Sequence, residues 1–251
     1  MFRLLKALPL TLAIAALSIA TASCGANSTQ VRVLNAMDGT AINGGVSVEV
    51  NGVNTFSSTI TFGDVFPTQK SSGPAAYTSV PSGRDTIQVF TAGNTSNPIL
   101  TNTLSLDGGD QYTLVLGPDI ITPFLDNNTV PTTNYLEFRV IDASTYDTFP
   151  VDVYLVPCGA SSITTYKIGT IQYAGSINYQ SVEYNAVTCP EGGNYEFYVF
   201  PTGTQTNPYV SWYYTAPAGS ITTLVIQDNE SSGQAVGISG QPLEWIDLIG
   251  G

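Results

Sequence analysis

The feature that most restricts this chain is that it contains one pattern twice. "VRVLNA" at 31–36 lies over "FRVIDA" at 138–143, an offset of 107 residues. "VSVEV" at 46–50 lies over "VDVYL" at 151–155. "GNTSNP" at 93–98 and "TLVL" at 113–116 lie over "GTQTNP" at 203–208 and "TLVI" at 223–226, both at an offset of 110. Four matches in the same order point to tandem duplication of a unit of roughly 100 residues. Whatever this chain folds into, it must do so twice.

Within each unit, short runs alternate apolar and polar residues. "QVRVLNA", "VSVEV", "DTIQVFTA" and "QYTLVL" do so in the first, and "YLEFRVIDA", "VDVYLV", "NYEFYVFP" and "ITTLVIQD" in the second. Period-two alternation places one face of a strand in a core and the other in water. Turn signals separate the runs: "MDGT", "VPSG", "DGGD", "CPEGG" and "APAG". No helical period of useful length intervenes. The pattern predicts an all-β fold of two tandem antiparallel β-sandwich domains, immunoglobulin-like, with about seven strands each. A small barrel is the other architecture the spacing permits. Domain 1 is expected over 30–118 and domain 2 over 135–229. Between them, 119–134 reads as a linker, because prolines and an Asp-Asn-Asn run interrupt the alternation. Residues 230–251 read as a loose tail that could dock through Leu243, Trp245 and Ile246.

The strand "VRVLNA", the "VPSG" before "DTIQVF" and the closing "YTLVL" resemble the domain of unknown function 4397 family. "VLNAMDGTAINGGVSVEVNG" and "VIDASTYDTFPVDVYLVPCG" follow the family's opening outline, with Asn35 and Asp142 where the family carries a histidine. The family occurs in exported bacterial proteins, often in tandem, and has no established catalytic residues. The resemblance therefore implies fold and location rather than chemistry.

The N-terminus reads as an export signal over 1–23. Arg3 and Lys6 precede the apolar run "LPLTLAIAALSIA", which is short for a membrane span. Without those two cations, five basic residues face nineteen acidic ones, a formal charge of −14. Such a surface is a poor partner for nucleic acid or anionic headgroups. The chain has no histidine, which removes Ser-His-Asp and Cys-His catalysis and histidine metal ligation. No cofactor or metal site is expected, and the chain is read as a non-enzyme.

Three cysteines carry the remaining sequence chemistry. Cys158 and Cys189 both end strand-like runs in the second unit, and an exported chain favours their pairing as a disulfide. Such a bridge would stabilise by about 3–4 kcal/mol in the chain-entropy model. Cys24 is then odd. Ala22, Ser23 and Gly25 suit a lipoprotein signal, which would acylate Cys24 and leave 24–29 as a short tether. Thr21 departs from the usual residue, and Ala20-Thr21-Ala22 offers ordinary cleavage after Ala22 instead. A free exposed thiol in an oxidising compartment is a liability that lipidation would remove. The expected location is the bacterial envelope, as an outer-membrane lipoprotein, since Gly25 is not aspartate.

The sharpest binding candidate is "YVSWYYTA" at 209–216, where exposed aromatics could stack on sugars. The repeat places Val210 and Tyr214 on the core face, Trp212 inward or at an edge, and Tyr209 and Tyr213 outside. Cross-strand packing accounts for such tyrosines without a ligand. "DGGD" at 107–110 and "DNNT" at 126–129 read as turns rather than calcium loops. Asp142, Asp147 and Asp152 are the nearest approach to paired carboxylates, with Asp152 outward on its strand. Sequons at Asn27, Asn94, Asn127 and Asn229 are read as coincidental in a bacterial chain. The expectation is an envelope-anchored lipoprotein serving as a structural, adhesion or protein-interaction module with envelope-protein or glycan partners. The alternatives are a carbohydrate-binding module using Tyr209, Trp212 and Tyr213, and a carboxylate-dependent glycoside hydrolase.

Overall fold

The computed structural model describes residues 28–37, 42, 44–68, 76–146, 149–231, 234–238 and 243–249. Cys24 and Asp147 lie outside them. Among the described residues the chain is built of strands and has no α-helix; a 3-10 turn occurs at Thr164–Tyr166. The first repeat supplies β1 (Thr29–Asn35), β2 (Val46–Val50), β3 (Val53–Ile60), β4 (Val65–Phe66), β5 (Thr78–Val80), β6 (Gly83–Thr91), β7 (Leu100–Leu106), β8 (Gln111–Leu116) and β9 (Ile121–Leu125). The second supplies β10 (Tyr135–Asp142), β11 (Val151–Pro157), β12 (Lys167–Ile171), β13 (Ser176–Glu183), β14 (Tyr195–Pro201), β15 (Val210–Tyr214) and β16 (Ser220–Ile226). β17 (Asp228–Ser231), β18 (Gln234–Ile238) and β19 (Leu243–Ile249) complete the order.

Four larger sheets result. Sheet I is β3-β2-β6-β7 and sheet II is β4-β1-β8-β9, with β5 also on β1. Sheet III is β13-β10-β16-β19 and sheet IV is β12-β11-β14-β15. Pairing is antiparallel except that β1 runs parallel to β8, and β10 to β16. The repetition extends to topology, since each parallel pair joins the first strand of a repeat to its "TLV" strand. Local chemistry sets the turns. Asn51 and Gly52 join β2 to β3 with φ of 53° and 75°, the left-handed pair that an Asn-Gly hairpin supplies.

Sheets I and II enclose one cluster, containing Val31, Val33, Val48, Phe56, Ile87, Val89 and Leu114. Sheets III and IV enclose another, containing Phe138, Val140, Val153, Phe197, Val199, Tyr214 and Leu224. A third cluster joins the repeats: Leu34, Ala36, Val115 and Phe124 from the first meet Ile141, Ala143 and Val225 from the second. Sheets II and III therefore pack on each other through their remaining faces. This corrects the expectation of one wet face per strand. β8 and β16 are buried at almost every residue, and so are most of β1 and β10, because both of their faces are covered.

The stretch read as a linker contains β9, which completes sheet II by pairing with β8. The stretch read as a loose tail contains β19, which pairs with β16 to complete sheet III. Both strands supply backbone partners to edges that would otherwise be unpaired.

Candidate functional site

The seam between sheets II and III holds the most concentrated polar chemistry described. Arg32 of β1 and Arg139 of β10 stand at matching positions of the repeat, and both are buried. Each donates from Nε to a threonine that also matches across the repeat: Arg32 to Thr113 (2.8 Å) and Arg139 to Thr223 (2.9 Å). Each guanidinium lies over a tyrosine, Arg32 over Tyr77 (5.4 Å) and Arg139 over Tyr179 (5.0 Å). Between them sits one carboxylate, Asp126. It pairs with Arg32 Nε at 3.3 Å and with Arg139 Nη2 more closely.

Thr113 is the hub of this arrangement. Its hydroxyl donates to Asp126 (2.8 Å to Oδ1) and accepts from Arg139 Nη2 (2.9 Å) as well as from Arg32. Arg139 Nη1 also donates to the Leu125 carbonyl (3.2 Å). Tyr77 donates to Asp126 Oδ2 (2.7 Å) and accepts from Asn128 Nδ2 (3.0 Å). Burial pushes the Tyr77 phenol above its ordinary value; Arg32 opposes that and Asp126 adds to it. Tyr77 is thus held as a neutral donor. Two like charges on facing sheets would be strongly unfavourable without the carboxylate between them. Asp126 begins the "DNNT" run read from sequence as a turn; in the structure it is the ionic centre of the contact between repeats. The sequence signal was present as an arginine inside an apolar strand, repeated at the same position in both copies.

Asn35 and Asp142 match at the ends of β1 and β10, both buried. Each side-chain Oδ1 accepts the N–H two residues on, from Met37 (3.0 Å) and Ser144 (3.0 Å) respectively. Asp228 accepts from Thr145 N–H (3.0 Å), Thr145 Oγ1 (2.7 Å) and Tyr146 N–H (3.2 Å), and closely from Ser144 Oγ. These bonds fix Ser144, Thr145 and Tyr146 after the end of β10. Asp152 does point away from the core of its sheet pair, as the alternation indicates, but it is buried rather than wet. It pairs with Lys167 (2.7 Å) and accepts from Thr170 (2.8 Å) and the Gly203 N–H (3.1 Å). Burial alone would raise its carboxyl, but the bonds from Lys167, Gly203 and Thr170 together hold it below the ordinary value. Asp142 and Asp152 are each committed to partners of their own.

Cys158 and Cys189 are joined by a disulfide with Cα atoms 5.2 Å apart. Beside it, Asn185 donates to the Cys158 carbonyl (3.2 Å) and Asn194 donates to the Asn185 carbonyl (2.9 Å). The bridge anchors the start of a segment whose Ala160, Ile163 and Tyr166 pack over Tyr154, Val156 and Phe200 on the outer face of sheet IV.

The structure separates the three aromatic candidates. Trp212 turns inward, half-buried against the core and tilted on Tyr214 at 5.6 Å. Tyr213 is half-buried on the outer face, opposite Glu196 in register. Its neighbour Tyr198, bonded to Glu196, is pushed up to about 12 by burial and by that carboxylate. Tyr209 is the exposed one, at 38%. It lines a cavity of about 320 Å³ with Phe149, Pro150, Pro201 and Thr202. Phe149, 75% exposed, was not singled out from sequence. It lies in an irregular loop, where alternation predicts nothing.

A model of the domain of unknown function family DUF4397 matches residues 29–154, and the chain belongs to that family. No curated protein matches it. Among solved structures it is similar to the Bacillus anthracis TIE protein at 12% identity and a TM-score of 0.24, covering 80% of this chain and 34% of that one. It spans about a third of that protein's length. It is also similar to a family 26 carbohydrate-binding module of Eubacterium rectale Amy13K, solved with maltoheptaose, at 14% identity and a TM-score of 0.25. That match covers 87% of this chain and 96% of the module. Likenesses at these scores carry no weight for the site.

Proposed function

We propose that this protein is a non-enzymatic, lipid-anchored module of the bacterial cell envelope. It is built of two immunoglobulin-like β-sandwiches, one per repeat, and works by presenting a rigid surface to envelope proteins or glycans. The observation that carries this reading is the Arg32–Asp126–Arg139 seam. A charge shared between repeats has one productive geometry, so the repeats are held as one body rather than as beads on a linker. A rigid body is what a scaffold or adhesion module needs, and a signal ending at Cys24 supplies a means of holding it at the outer membrane. Labelled fatty acid fed to a producing strain should mark the wild type and not Cys24→Ala. Label on both, or on neither, would sink the anchor.

A second reading, glycan binding through surface aromatics, is favoured at Tyr209 by its place on the cavity with Phe149. Trp212 and Tyr213 support it less, since one packs inward and the other is half-buried. A pull-down of glycans and envelope proteins with the chain lacking residues 1–24 weighs the two readings against each other.

A further inference from the structure

The two repeats point the same way. Arg32 and Arg139 meet one carboxylate, and further along the same strands Leu34 and Ala36 meet Ile141 and Ala143. The chain enters at the starting end of β1. There Thr29 Oγ1 donates to the Asp107 carbonyl (2.8 Å) and Gly109 N–H donates to the Ser28 carbonyl (3.1 Å). By the strand pairings, the "GNTSNP" turn between β6 and β7 and the "GTQTNP" turn between β14 and β15 lie at the opposite end. So do residues 143–146 and 149–150. An anchor on Cys24 leaves residues 24–28 as a tether of about 15–18 Å when extended. The far end then faces away from the membrane.

The cavity of Phe149, Pro150, Pro201, Thr202 and Tyr209 belongs to that far end. Its frame is tied internally. Thr202 donates to the Pro150 carbonyl, Thr204 to the Pro201 carbonyl (3.0 Å), and Gly203 N–H to Asp152 (3.1 Å). These bonds preorganise a floor whose Phe149, Pro150, Pro201 and Tyr209 are largely apolar. Residues 201–209, "PTGTQTNPY", include no charged side chain in a protein that is otherwise strongly acidic. Thr206 and Asn207 are exposed beside Tyr209. In the first repeat the position of Tyr209 is held by Ile99, also exposed, so the aromatic belongs to the second copy alone.

We propose that this cavity seats a neutral glycan. The apolar face of one sugar ring stacks on Tyr209 and Phe149, and Thr206 and Asn207 exchange hydrogen bonds with its hydroxyls. An anionic polymer would be repelled by the chain's charge, and among the described residues that line the cavity none is a carboxylate to draw a basic peptide. A hydroxyl-rich neutral ligand matches a rim of amides and hydroxyls around an aromatic floor. The inference deepens the glycan reading and rests on it, keeping Tyr209, adding Phe149, and leaving Trp212 and Tyr213 outside the site.

The test uses the full mature protein purified from the producing strain. Cellohexaose, laminarihexaose, mannohexaose and maltohexaose serve as neutral probes, with polygalacturonate and a proline-rich peptide as competitors for the same cavity. At least one neutral probe should bind. Phe149→Ala and Tyr209→Ala should each weaken it at least about tenfold without shifting the melting temperature, while Tyr209→Phe retains most of it and Tyr213→Ala stays within about twofold. The proposal is overturned if no neutral probe binds, if both alanine variants bind as the wild type does, or if the peptide or polygalacturonate binds in preference. Failure here with fatty-acid label still on Cys24 removes the glycan site and leaves the anchored module. Loss of the label with glycan binding intact does the reverse.

Discussion

On β2 of the first repeat, the residues facing away from the core are Ser47 and Glu49, both half-exposed. At the matching positions of β11 the second repeat has Asp152 and Tyr154, both buried. The strands are otherwise equivalent, and the difference lies in the chain that leaves each of them. β2 hands over to β3 through Asn51 and Gly52 alone, whereas β11 runs into the segment that begins at Cys158 and folds back over its own sheet. The disulfide therefore serves the covering segment rather than the shared core. What the repeats have in common, by contrast, is the apparatus for meeting each other: arginine, threonine and tyrosine in both, with one aspartate between.

The largest expected effect breaks what is shared. Asp126→Ala removes the carboxylate that the two buried arginines share and should cost about 3–5 kcal/mol. Because both repeats lose a partner, urea unfolding should show both destabilised; loss confined to one repeat would show that Asp126 serves only that copy. Next comes what is unshared. Replacing Cys158 and Cys189 by serine should cost about 3–4 kcal/mol. Hydrogen exchange should rise over 158–194 and leave β1 to β9 unchanged. Acceleration in the first repeat would mean that the bridge stabilises the whole body.

Asp152→Asn should cost about 1–3 kcal/mol near neutral pH through the loss of a charge-assisted contact. The carboxyl is depressed below its ordinary 3.8 in the folded chain, so its contribution is present above that value and fades as pH falls through the lower folded value. The stability gap between wild type and variant should therefore close on acidification below about 4, and a gap that stays open in acid would rule out the ion pair as its source. Smallest of all, Tyr213→Ala should change stability by no more than about 0.5–1 kcal/mol. A larger loss in chemical denaturation would make the half-exposed face of sheet IV a true extension of its core.

Much of the fold was legible because a pattern that recurs in the sequence supplies its own check. The 110 offset alone places Val210 and Tyr214 on the core face, and both are fully buried. Cys158 and Cys189 could be paired because each sits beside a turn signal in the second repeat, and the structure joins them. β9 and β19 were not legible. Pro123 and the Asp-Asn-Asn run look like a linker, and a strand at a sheet edge tolerates such residues where an interior strand does not. Of the residues lining the cavity, Tyr209 was legible in the sequence as an outward aromatic, while Phe149 was not, because it lies in an irregular stretch where alternation predicts nothing.

The sequence by itself determined that the chain folds twice into strands, and which residues of each strand face the local core. Period-two alternation and turn chemistry act within a few residues of each other and need nothing from the rest of the molecule. Only the tertiary structure decided what the other faces do. Arg32 and Arg139 each interrupt an apolar strand in the sequence, and it is the closing of sheets II and III on them that buries them. Burial is a property of the partner surface, and the partner of each repeat is the other repeat.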